Sequence, residues 1–153
     1  MGSICSKSTR NLKNIDIDDI EYFTLNGHNC YAKVVSIYDG DTCSVVFYWN
    51  GNLMKYKCRC DGYDSPEIKP RLNLHNREEH IIQAKEAKAK FSEYVGFGKN
   101  ELIYISFGKF DKYGRVLGTF YKNINDFKHE KSINQQMINN GYGYVYNGGT
   151  KKI

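Results

Sequence analysis

Three short stretches concentrate residue types suited to phosphodiester chemistry. The first is Asp39-Gly40-Asp41. The second runs from Arg59 to Glu67 and sets Asp61, Asp64 and Glu67 around Gly62 and Pro66. The third is Asp111-Lys112-Tyr113-Gly114-Arg115. Two carboxylates from separate turns, Asp41 and Asp64, offer hard oxygen ligands to Ca²⁺ or Mg²⁺, with a backbone carbonyl and waters to complete the shell. A metal held there would bind a phosphodiester oxygen and make phosphorus more electrophilic. Glu67 could orient or deprotonate the attacking water. Arg59 and Arg115 could clamp the non-bridging oxygens as charge builds on them, because a guanidinium matches two oxygens at once and stays charged. Lys112 could add phosphate attraction, or simply be a solvated lysine.

Each stretch also has a plainer reading. Asp-Gly-Asp by itself is a tight turn whose acids bond nearby backbone. Asp-Ser-Pro-Glu by itself starts a turn or helix, with Ser65 as cap. Asp-Lys-Tyr-Gly-Arg by itself is a charged hairpin turn. Their joint occurrence in this order, with Arg59 on the outward face of its strand, favours the chemical reading.

The elements that must position these residues follow from periodicity. Cys30–Tyr38 and Thr42–Trp49 are rich in β-branched and aromatic residues and read as strands. Asn50-Gly51 is a strong hairpin signal, and Leu53–Asp61 is the third strand of a meander. Strand alternation sends Cys58 and Cys60 inward and Arg59 outward, on the face of Lys55, Lys57 and Asp61. Between about Arg77 and Tyr94 the period becomes helical, and Ile81, Ala84, Ala87 or Lys88, Phe91 and Tyr94 can share one side. Glu101–Phe107 and Val116–Tyr121 are the fourth and fifth strands. Asn123 and Asn125 mark a loop, and Ser132–Asn140 is a short helix. This order predicts a mainly β, α+β fold: a five-stranded OB-like barrel with two or three packed helices.

Length and composition set the outer limits. The 153 residues suit one domain, with 41% hydrophobic residues to build its core. A net charge of +5 suits a phosphate-bearing partner without requiring one. The 13 tyrosines are amphipathic contact residues, able to stack on bases or to finish a hydrogen bond at the core's edge. The five cysteines are odd in number and include no Cys-x-x-Cys pair, so buried thiols in a reducing compartment fit better than disulfides or a zinc site. His28, His75, His80 and His129 form no ligand pair and read as surface or loop residues.

The chain starts Met-Gly-Ser-Ile-Cys-Ser. Gly2 and Ser6 fit the N-myristoylation pattern, and Cys5 is placed for a second acyl chain. Lys7 and Arg10 would add attraction to an anionic leaflet. No secretion signal or membrane-span pattern is evident. The expected location is intracellular, with a lipid anchor on the cytoplasmic face of a membrane if the pattern is used.

The motifs together resemble the staphylococcal nuclease (thermonuclease) family. The residues that carry the resemblance are AKVVSIYDGDT at Ala32–Thr42, RCDGYDSPE at Arg59–Glu67, KEAKAKF at Lys85–Phe91, DKYGR at Asp111–Arg115 and INQQMINNGYGYV at Ile133–Val145. The resemblance implies an SNase-like OB-barrel domain over residues 28–147, between a tail over 1–27 and a short basic tail over 148–153. It implies hydrolysis of DNA and RNA with one Ca²⁺, cutting on the 5′-oxygen side. Asp41 and Asp64 would be the metal-binding aspartates, and Ser65 would offer its backbone carbonyl. Glu67 would position or activate the water, and Arg59 and Arg115 would bind phosphate. Asp39 matches a further acidic turn residue, and Tyr113 a tyrosine near the nucleotide's phosphate. Tyr142, Tyr144 and Tyr146 do not align uniquely with the family's tyrosines. Cys58, Cys60 and Gly62 stand where bulkier aliphatics are usual, which predicts looser packing there.

Two functions remain on these grounds. One is a metal-dependent nuclease acting on DNA or RNA as a monomer. The other is a non-catalytic module on the same barrel that binds nucleic acid or protein. The complete carboxylate and arginine set favours the first, because a pure binder has no need of it.

Overall fold

The computed structural model describes residue 9 and residues 11–148. Its centre is a closed five-stranded barrel. The strands are β1 (Asn29–Ile37), β2 (Thr42–Trp49), β3 (Asn52–Cys60), β5 (Ile103–Phe110) and β6 (Val116–Tyr121), closing in the order β1-β2-β3-β6-β5. The β3–β6 pairing is parallel and the others are antiparallel. This is the OB-like α+β architecture expected from the order of elements. Two short strands, β4 (Tyr63–Asp64) and β7 (Tyr144–Val145), form a separate antiparallel pair.

The barrel closes because its sequences alternate. Val34, Cys43, Val45, Phe47, Cys58, Ile103, Ile105, Phe107, Val116 and Phe120 are buried, and each inward position brings apolar surface out of water. The register of β1 against β2 slips between Val34 and Ser36. Such a bulge bends and twists a strand, which helps the sheet to curl. Leu25, ahead of β1, is also buried in the core, and Phe23 packs on Trp49 and Phe110.

At Cys58 the small thiol of β3 is met closely by β6. A β-carbon on Gly118 would lie 2.6 Å from Cys58 Sγ and 2.9 Å from Ile105 Cδ1. The bare glycine of β6 therefore lets its backbone close onto Cys58, and at that position the neighbouring strand takes up the expected slack. Burial raises the thiol pKa values of Cys43, Cys58 and Cys60 well above the ordinary value. These cysteines and Cys30 are free, and they serve as core atoms.

Helix α1 (Arg77–Tyr94) lays Ala84, Ala87 and Phe91 on the barrel, with Phe91 edge-on to Phe120. Helix α3 (Ile133–Asn139) buries Ile133, Asn134 and Met137, and Ser132 caps it by accepting the N–H of Gln135. Asn134 works as a clasp. Its amide accepts the Phe120 N–H and donates to the carbonyls of Asp61 and Gly118.

One expectation needs correcting. The segment after β6 is not simply a loop, because Ile124–Lys128 forms a short helix, α2. It is capped by Asn123 and pinned by Phe127 against Tyr104 and Tyr121. Five residues are too few to show helical periodicity, so the aromatic contact supplies the stability. His28 lies in the loop before β1, half-buried, with its ring stacked on Phe107 at 6.1 Å. No described helix is long and apolar enough to cross a membrane.

Candidate active site

The site is built where two strand ends meet. The turn after β1 is closed by the N–H of Tyr38 donating to the Thr42 carbonyl. The chain leaving β3 then runs beside it. The Cys60 N–H donates to the Asp41 carbonyl at 2.7 Å, and the Tyr63 hydroxyl donates to the Gly40 carbonyl at 2.7 Å. Gly40 is needed here for space. A β-carbon on it would lie 2.8 Å from Ser65 Cβ and 2.9 Å from Ala87 Cβ. The two turns and α1 thus close-pack through a glycine, a serine and an alanine. Gly143 does the same from the other side, since a β-carbon there would meet the Tyr63 ring at 2.5 Å.

This packing buries two acids side by side. The side chains of Asp41 and Asp64 are 5% and 2% exposed. Asp41 Oδ2 accepts both the backbone N–H and the hydroxyl of Ser65, at 2.7 and 3.1 Å. Asp41 Oδ1 accepts the Thr42 hydroxyl at 2.9 Å and faces Arg59. The Arg59 guanidinium bridges the pair, with Nη1 3.0 Å from Asp41 Oδ1 and Nη2 against Asp64 Oδ1. Nη1 nevertheless has no aligned hydrogen-bond acceptor, so its contact with Asp41 is one of charge with charge. Burial by itself would raise the Asp41 pKa. The Arg59 charge and the Ser65 N–H outweigh it, and the carboxyl is held below its ordinary value.

The other candidates lie around this cluster. Glu67 is exposed, just past Pro66. Its charge and that of Asp41 both raise the pKa of Tyr144, after burial as the leading cause. Tyr144 itself pairs with Asp64 in the β4–β7 ladder, and the Tyr146 ring lies 5.6 Å from the Arg59 guanidinium carbon. The structure thereby separates tyrosines that the sequence could not, and Tyr142 packs against the core instead.

Arg115 stands across a groove of about 350 Å³ that it lines together with Arg59, Lys112, Tyr113 and Tyr146. Its Nε donates to Asp111 Oδ2 at 2.7 Å. Asp111 Oδ1 accepts the backbone N–H groups of Tyr113 and Arg115. Arg115 and Lys112 both lie over the Tyr113 ring, at 5.4 and 5.1 Å. The Asp111–Arg115 turn therefore presents two cations and an exposed aromatic ring to the groove. Asp39 supports the first turn by accepting the Asp41 N–H. Gly2 and Cys5 lie outside the described residues.

The donor set suits a hard divalent cation. Asp41 Oδ2 is committed to Ser65, while Oδ1 and the Asp64 carboxylate converge on one positive group, the Arg59 guanidinium. Among the described residues no three His, Cys, Asp or Glu side chains come together as a metal group, so backbone and water oxygens would supply the rest of the shell. Sequence reasoning missed the side chains of Ser65, Thr42 and Tyr63 as the parts that fix Asp41. Their only sequence signal is adjacency to the acids.

The fold and this cluster define a class: an OB-like barrel whose strand ends carry two buried carboxylates and two arginines beside a cationic groove. The profile of the staphylococcal nuclease homologues matches residues 57–152, more than half of the chain, and the chain belongs to that family. Asp41 precedes the matched range, and its place at the site rests on its contacts with Arg59 and Ser65. No curated protein matches the chain.

Proposed function

We propose that the protein is a Ca²⁺-dependent nuclease that hydrolyses phosphodiester bonds of DNA or RNA. The observation that supports it most is the convergence of Asp41 and Asp64, from separate strand ends, on one cationic centre. Asp41 Oδ1, the Asp64 carboxylate and the Ser65 backbone carbonyl would hold the ion. When bound, it would supply Lewis-acid polarisation of a phosphate oxygen. Arg59 and Arg115, lining one groove, hold the non-bridging oxygens, and the charge gathering there during attack strengthens both contacts. Glu67 accepts the proton of a water molecule as its oxygen bonds to phosphorus. The bond from phosphorus to the 5′-oxygen breaks in line, and that oxygen takes a proton from solvent. Tyr113 and Lys112 hold the neighbouring nucleotide by stacking and charge.

The test is digestion of single-stranded DNA with Ca²⁺ or with a chelator. Glu67→Gln is expected to lower kcat by about 100-fold or more, the usual scale for a lost general base, with KM little changed. Absence of chelator-sensitive cleavage in folded protein would overturn the reading. We propose further that the enzyme acts inside the cell as a monomer, attached by acylation of Gly2 and Cys5 to the cytoplasmic face of a membrane. Light scattering and the mass of the N-terminal peptide from eukaryotic expression test these two points.

A further inference from the structure

Arg115 is shared by two depressions. One is the groove it lines with Arg59. The other, of about 400 Å³, is lined by Arg115 with Ser36, Tyr38, Thr42, Ser44 and Lys57. The barrel register explains why these residues gather. Ser36 is opposite Ser44, and Ser44 is opposite Lys57, so these three form a row across the outer face of β1, β2 and β3. The next row on that face holds Thr42 opposite Arg59. Lys57 therefore lies one outward step along β3 from Arg59, about 7 Å away at two residues of strand rise.

The chemistry of this second depression is that of a nucleotide contact. Lys57 and Arg115 are cations. Ser36 and Ser44 carry neutral hydroxyls suited to sugar or phosphate oxygens. Tyr38 is 68% exposed, while its backbone N–H is tied to Thr42 at the mouth of the acidic turn. An exposed aromatic ring on a fixed backbone beside cations is a platform for an unpaired base. The depression adjoins the candidate active site, because Thr42 lines it and donates to Asp41, and Arg115 lines both.

We propose that this depression is a second nucleotide subsite. It takes the residue of a single-stranded nucleic acid next to the one held between Arg59 and Arg115. Tyr38 stacks on its base, and Lys57 pairs with its phosphate. The arrangement rests on the nuclease reading and adds to it a preference for strands long enough to cross Arg115. A paired duplex cannot offer its base faces to Tyr38, so the subsite favours unpaired substrate.

The experiment compares a nitrophenyl ester of a mononucleotide, which has one phosphodiester and no neighbour, with oligodeoxynucleotides of increasing length. Wild type, Tyr38→Ala and Lys57→Ala are measured with Ca²⁺, and melting curves confirm that the variants fold. Each variant is expected to raise KM for the oligonucleotides about tenfold, the scale of one stacking or phosphate contact, with kcat and the short ester unchanged. Lys57→Ala should also reduce the salt dependence of oligonucleotide KM by about 0.7 in log–log slope, the value for one phosphate of a single strand. Variants that match wild type on oligonucleotides, or that lose the ester equally, would overturn the subsite alone. Cleavage of neither substrate by folded wild type would overturn the nuclease reading and the subsite with it.

Discussion

Arg59→Gln gives the sharpest test of the site's energetics. The wild-type Arg59 side chain is 12% exposed, and its guanidinium sits between two aspartates whose side chains are 5% and 2% exposed. Glutamine keeps polarity and much of the volume but removes the charge, leaving two buried acids facing each other. Breaking a buried ion pair by removing one partner costs about 3–5 kcal/mol. For a chain of this size each kcal/mol moves Tm by roughly 2–4 °C, so Tm in chelator should fall by about 10 °C. A divalent cation can take over the guanidinium's neutralising part. Calcium at 100 times its Kd adds about 2.7 kcal/mol to a folded state with one site. It should bind the variant more tightly, having no guanidinium to displace. Melting curves with chelator and with graded CaCl₂ should therefore show a deep loss in Arg59→Gln and a larger calcium recovery than in wild type. Arg59→Lys should fall between, because one ammonium cannot fork to both acids. A Tm in chelator within 2 °C of wild type, an estimate of what a surface change does, would refute the argument. So would an equal calcium shift in both proteins.

Other consequences can be measured directly. Asn134→Ala should cost about 3 kcal/mol in urea unfolding, because it strands the Phe120 N–H and the Asp61 carbonyl, while the Gly118 carbonyl keeps the Asp61 N–H. Gly118→Ala should lose about 1–3 kcal/mol by driving a methyl group into Cys58 and Ile105, and Cys58→Ala in that background should recover part of it. Burial tends to raise the Asp111 pKa, but the N–H groups and guanidinium of Arg115 and the N–H of Tyr113 outweigh it and lower the carboxyl. A depressed folded-state pKa gives stability that is present above the unfolded value of about 3.9 and is lost as pH falls through the folded value. Asp111→Asn should accordingly flatten the stability profile below about pH 4, read by chemical unfolding at several pH values. Burial raises the Cys30 thiol to about 11 and also lifts Cys43, Cys58 and Cys60 well above the ordinary thiol value. Iodoacetamide at pH 8 should label these four only after unfolding, and peptide mass mapping would detect native labelling.

The local pattern determined a good deal. Val116–Tyr121 and Arg77–Tyr94 have in the structure the bounds their periodicity predicted, because burial of one face dictates period in strands and helices alike. The outward position of Arg59 followed from alternation between two buried thiols. The acid pair was legible as residue types on two turns. Tertiary structure decided what those residues face. Arg59 is on the outer surface of the barrel, yet it is covered and bridges both acids. No spacing rule encodes this, since Asp41 reaches it through β2–β3 register. Ser65 was read for its backbone carbonyl, but the structure shows its N–H and hydroxyl holding Asp41. The roles of Tyr144 and Tyr146 depended on the small β4–β7 pair, too short to leave a pattern. The physical reason is common to these cases. Periodicity records how each segment meets water and core, whereas a site is assembled from contacts between segments far apart in the chain, and only closure of the barrel sets those distances.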